Sequence, residues 1–171
     1  MENWRLQRLF EAHGLRDGDL FFLDLIPLVE MIWADGYNQE GEIRILEDCA
    51  RRHMAELNQL LGHQVVTKRH LRDFLQRFVH RRPSPALLAE LRQIACHRLR
   101  RRARSGQADK AREVLDQCID IAAACVTRYP YGLRERIMER ERELLSALFH
   151  QLSPRSGRGK DITPSLDASG S

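Results

Sequence analysis

WADGYNQEGEIRIL (33–46) is the stretch on which the fold turns. An acid and a glycine, Asp35 and Gly36, end a strongly apolar run. Asn38, Glu40 and Glu42 follow before apolar residues return at helical spacing. The pattern reads as a corner between two helices. Gly36 suits the left-handed position just past a helix end. Asn38 is expected as the N-cap of the next helix, with Glu40 and Glu42 in its first turn, where negative charge favours the helix dipole. The same residues support a second reading. A tight corner brings the carboxylates of Asp35 and Glu42 to one mouth. With Asn38, Glu40 and backbone carbonyls they offer the oxygen ligands of a calcium-like divalent cation, although the alternating acids of an EF-hand are missing.

The 3.6-residue period divides the chain into seven helices. The first is expected at about Asn3 to Ala12 and the second at Leu20 to Ala34, with Asp19 as its N-cap. The third runs from Asn38 to about Leu61 and stops at Gly62. The fourth starts at Thr67 and is broken by RRPSP (81–85), because proline cannot continue a helix. The fifth begins at Ser84 or Pro85 and ends at RSGQ (104–107). The sixth covers about Ala108 to Arg128, and the last about Leu133 to Leu152. Residues 153–171, SPRSGRGKDITPSLDASGS, keep no periodicity and read as a disordered tail. The second and sixth helices are apolar on most sides, which places them at the centre of a bundle. They also align without gaps as DLIPLVEMIWADG (24–36) on DIAAACVTRYPYG (120–132). With three extra residues in the second copy, EIRIL (42–46) meets ERELL (141–145), a faint duplication of a helix–corner–helix unit.

Composition agrees with one all-α domain, 1–152. The chain has 171 residues, 30% charged, 43% hydrophobic and only 6% aromatic, rich in helix-forming Ala, Leu, Glu, Arg and Gln. Cys49, Cys96, Cys118 and Cys125 fall among apolar neighbours in expected helices and read as buried free thiols of a reducing, cytoplasmic compartment. MENWRLQRLFEAHG lacks the features of a signal peptide. The longest apolar run, Leu20 to Trp33, contains Asp24, Pro27 and Glu30 and is too short and polar to span a bilayer.

The apolar helix ending Ala34-Asp35-Gly36, with Glu42 seven residues after the aspartate and Ile45-Leu46 beyond, resembles the signature of the TerB-like (tellurite-resistance-type) family. That resemblance implies an all-helical fold of about seven helices with two pseudo-symmetric helix-pair units. It also implies a stress-response or interaction role near the cytoplasmic face of the membrane, and a divalent cation held by acidic corner residues, which here are Asp35 and Glu42. This chain departs from the pattern at Asn38, where the family has a hydrophobic residue. In the second copy Tyr131 stands in the place of Asp35, so only Glu141 matches an acid.

Elsewhere, Arg98, Arg100, Arg101, Arg102 and Arg104 form a cluster able to contact phosphates of nucleic acid or an anionic surface. The bland reading is a solvated helix end with cations favoured by the dipole. Seven histidines are scattered without HExxH or ExxH pairing, and zinc spacings are absent. Nucleophile elbows, phosphate loops and dinucleotide fingerprints are missing. The expectation is a non-enzymatic TerB-like module with a protein partner, tuned by a cation at the corner. The alternative is an anionic-surface or nucleic-acid binder acting through residues 98–104.

Overall fold

Pro27 decides how the second apolar segment folds. Inside an α-helix a proline removes one backbone hydrogen bond and crowds the carbonyl four residues back, whereas in the first turn its missing N–H costs nothing. The computed structural model, which describes residues 2–34, 36, 38–106, 108–124 and 139–152, splits the segment accordingly. A 3-10 segment runs Asp17–Leu25, and α2 then covers only Ile26–Ile32, with Pro27 in its first turn. The expected single helix from Leu20 to Ala34 is therefore two elements. Asp19 is not an N-cap but the third residue of the 3-10 segment. Its carboxylate accepts a hydrogen bond from the Arg16 backbone N–H at 2.8 Å.

The other elements are α1 (Glu2–His13), α3 (Glu40–Leu61), α4 (Lys68–Phe78), α5 (Pro85–Arg104), α6 (Ala108–Ala124) and α7 (Glu139–Leu152). Seven α-helices and no strand occur among the described residues. Local chemistry explains the ends. Gly62 takes the left-handed conformation that closes α3, at φ 72°. The Thr67 side chain caps α4 by accepting from His70 N–H, and Ser84 caps α5 by accepting from Leu87 N–H. The stretch 125–138, with Cys125, Tyr129 and Tyr131, lies outside the described residues, as does the tail 153–171.

As expected from their apolar surfaces, α2 and α6 pack on each other, and α5 lies against both. Ile26, Leu28, Val29 and Ile32 from α2 are fully buried, as are Val114, Cys118, Ile121 and Ala122 from α6. Each large aliphatic side chain so placed stabilises the fold by about 1.5–3 kcal/mol. The rings of Phe22 and Phe74 stack at 4.9 Å, with Phe78 5.1 Å beyond, joining the 3-10 segment to α4. Glu42 and Glu141, which the faint duplication aligns, are both the third residue of their helices and both buried. Cys49, Cys96 and Cys118 are buried free thiols. Burial pushes the Cys96 thiol up to about 11, and Cys118 is raised as well, so both stay protonated at neutral pH.

One histidine belongs to this core. His53 is 3% exposed, and its Nε2–H donates to the Phe21 carbonyl at 2.8 Å. Burial lowers its pKa; the bond to Phe21 and the charges of Asp24 and Glu56 oppose that shift, and Lys110 adds to it. The folded pKa thus lies below the usual value of about 6.5, and the unfolded chain takes the proton first. The contribution of neutral His53 to stability is complete above about pH 6.5 and is lost as pH falls through the folded pKa. The melting temperature is expected to fall between about pH 7 and 5 more steeply in the parent than in His53→Gln, which keeps a donor for Phe21. Parallel pH profiles in thermal melts would contradict this.

Candidate functional site

The corner after α2 is built from tight backbone bonds. Trp33 N–H reaches Glu30 O at 3.3 Å, Ala34 N–H reaches Met31 O at 3.1 Å, and Gly36 N–H reaches Trp33 O at 3.0 Å. Gly36 sits at φ 92°, where any Cβ is strained. Two side chains then pin the corner to the end of α4. Trp33 Nε1–H donates to Phe78 O at 2.8 Å, and the Asn38 amide donates to Val79 O at 2.8 Å. The last carbonyls of a helix have no partner within it, so both bonds meet a standing need of α4.

This reassigns Asn38. The N-cap of α3 is Gln39, because the Asn38 side chain is spent on Val79. Glu42 is 1% exposed, and its carboxylate accepts from Gln39 N–H at 2.9 Å. Glu40 is on the outside, where its side chain pairs with Arg44 one turn on. Asp35 lies outside the described residues. Of the four candidate cation ligands, then, Asn38, Glu40 and Glu42 each hold a structural partner. The corner also meets a cation of the protein's own. The Arg82 guanidinium lies over the Trp33 ring, 6.0 Å from its centroid, and a Cβ added at Gly36 would touch its nitrogens at 3.6 and 3.7 Å. Among the described residues, no three His, Cys, Asp or Glu side chains gather as a metal would require.

Beside the corner opens a cleft of about 370 Å³, between the end of α2, the α4–α5 connection, α5 and α7. Trp33, Pro83, Pro85, Leu88 and Leu144 give it apolar walls, and Arg82, Arg92, Arg140, Glu30 and Glu143 give it charge. Glu30 and Arg92 pair across α2 and α5 at 3.2 Å, each side chain only 18% exposed. Burial raises the Glu30 pKa, and the Arg92 charge opposes that shift. Glu30 Oε2 and Arg92 Nε are buried without a hydrogen-bond partner among the described residues. Sequence reasoning missed this cleft. A glutamate inside an apolar helix was the available signal, and RRPSP (81–85) read only as a helix breaker.

The arginine cluster divides by face. Arg98 Nε lies 3.6 Å from Asp24 Oδ1, and Arg102 pairs with Asp24 Oδ2. Asp24 is 2% exposed, so these two guanidiniums neutralise a carboxylate inside the fold. Arg100, Arg101 and Arg104 remain on the exposed side of α5. Losing one partner of a buried pair costs roughly 3–5 kcal/mol when burial is complete. Here both arginines keep about a third of the side chain in water, and Arg98 remains when Arg102 is removed. Arg102→Met is therefore expected to cost about 2 kcal/mol in urea unfolding, and Arg100→Met less than ~0.5 kcal/mol. Equal effects would show that Asp24 does not depend on Arg102.

No family model matches this chain, and no curated protein or solved structure matches it. The candidate site is thus defined by its own geometry: a corner whose described polar groups are held by the fold, and an adjoining cleft where Arg82, Arg140 and Glu143 are exposed and Glu30 and Arg92 pair below the surface.

Proposed function

We propose that this chain is a non-enzymatic, TerB-like interaction module whose working surface is the corner after α2 together with the cleft beside it. The observation that carries the reading is that Trp33 and Ala34 belong to both: the corner that α4 holds in place forms one wall of the cleft. The described lining offers guanidiniums, carboxylates and apolar surface, and no Ser, Thr, Cys, His or Lys side chain. Guanidiniums set among apolar walls suit recognition of a charged partner group. The stress-response setting and the cytoplasmic location implied by the resemblance belong to this proposal. The alternative, an anionic-surface or nucleic-acid contact through residues 98–104, draws on fewer side chains than the sequence offers, since Arg98 and Arg102 serve Asp24.

A photo-reactive residue in place of Glu143, on the cleft, is expected to give a partner adduct in cells. The same residue in place of the exposed Asp116 on α6 is expected to give none. The adduct should vanish when Arg82→Glu is added. Adducts from both positions, or from neither, would remove the cleft as the working surface.

A divalent, calcium-like cation at Asp35 and Glu42, with Asn38 and Glu40 nearby, is a separate part of the proposal. Its support is the burial of Glu42, a carboxylate held inside the corner. Calorimetric titration with calcium, magnesium and zinc tests it. Binding heat that is lost in Asp35→Asn supports the site. No heat with any ion, or heat that the substitution leaves unchanged, excludes it.

A further inference from the structure

The chemistry of the cleft suits an anion. Three of its lining side chains are guanidiniums, Arg82, Arg92 and Arg140, and two are carboxylates, Glu30 and Glu143. Among the described residues the lining thus carries one net positive charge. We propose that the cleft binds a carboxylate flanked by an apolar group, the chemistry shared by an acidic residue next to an apolar one in a peptide and by a short fatty acid. This inference deepens the reading of the cleft as the working surface.

Charge selects the ligand. A monoanion balances the single surplus charge, while a phosphate dianion would bring a second negative charge close to Glu30 and Glu143 in a partly desolvated space. Among the arginines, Arg92 is already paired with Glu30. Arg82 is held over the Trp33 indole and against Gly36. A guanidinium so held keeps its edge N–H groups for bidentate bonding to a carboxylate, and ordering it beforehand reduces the entropy lost on binding. Arg140 stands exposed on α7, across the same cleft. The walls supply the apolar half of the complement through Pro83, Pro85, Leu88 and Leu144. The volume, about 370 Å³, is at the small end of the range for ligand pockets, so the occupant is a small group rather than a long one.

The two tryptophans provide the assay. Trp33 lines the cleft, and Trp4, on α1, does not, so its indole N–H signal is an internal control. The ¹⁵N-labelled full chain would be titrated with hexanoate, with N-acetyl-Leu-Glu-amide, with N-acetyl-Leu-Gln-amide and with inorganic phosphate. Hexanoate and the Glu peptide are expected to shift the Trp33 indole signal saturably, with dissociation constants on the order of millimolar, and to leave Trp4 in place. The Gln peptide and phosphate should each bind at least about tenfold more weakly. Arg82→Gln and Arg140→Gln, at exposed positions, should each weaken the carboxylates by about five- to tenfold while the remaining amide signals report an intact fold. Tighter binding of the Glu peptide assigns the site to peptides; tighter binding of hexanoate assigns it to fatty acids. The inference is overturned if neither carboxylate moves Trp33 saturably, if the Gln peptide binds as well as the Glu peptide, or if phosphate binds more tightly. A cross-link at position 143 with no response to carboxylates would remove this inference and leave the interaction reading standing.

Discussion

Two carbonyl groups at the end of α4, those of Phe78 and Val79, need donors, and the corner after α2 supplies both. The Trp33 indole and the Asn38 amide reach them at 2.8 Å each. A helix end cannot satisfy its own last carbonyls, and burying them unpaired costs about as much as losing a hydrogen bond. These two bonds therefore set where α2 stops, where α3 starts and which way the Trp33 ring faces. Arg82, four residues past Phe78, is carried back over that ring by the same arrangement. The shape of the cleft follows from it, because Trp33, Arg82 and Pro83 form one side of the opening.

A second constraint runs along the apolar rod made by the 3-10 segment and α2. Apart from the exposed Asp17 at its start, it carries three acids, and each meets an arginine from another helix. Asp19 pairs with Arg77 of α4 at 3.2 Å, Asp24 with Arg98 and Arg102 of α5, and Glu30 with Arg92 of α5. Apolar packing alone tolerates small sliding of one helix past another. A carboxylate in a dry interface does not, since displacement leaves a charge without its partner. Such pairs add little net stability compared with apolar side chains of the same size, and their role here is to set the register of α4 and α5 on the rod. Glu30 and Arg92 perform that task at the edge of the cleft, so one pair serves both the packing and the lining.

The corner illustrates how one set of residues fits two physical roles. Carboxylates near a helix N-terminus favour the dipole and can also attract a cation. In this chain Glu42 turns inward to the Gln39 backbone and Glu40 outward to Arg44, while the charge lying over the corner's tryptophan is a guanidinium. The polar groups of α3's first turn thereby hold the corner in shape, and the adjoining cleft presents charge to solvent.

The helical class, the two central apolar rods and most helix ends were legible in the sequence, because they depend on local terms. Spacing of apolar residues, Gly62 at a left-handed end, Thr67 and Ser84 as caps, and the break at Pro83 and Pro85 act within a few residues of where they stand. Pro27 was in view, but the periodic pattern ran one helix through it, and its place in the first turn of a separate α2 came only with the structure. What the sequence did not disclose was partnership across the fold. Asp24 read as an oddity until Arg98 and Arg102 lay beside it, and those arginines read as a surface cluster until Asp24 did. Asn38 read as a cap because capping is local, and the carbonyl that claims it belongs to a residue forty-one positions away. Local preference favours one role by about a kilocalorie per mole, and a buried group in need of a partner outweighs it. Only the tertiary structure brings such groups together, so only there were the roles of Asn38, the arginines and the cleft decided.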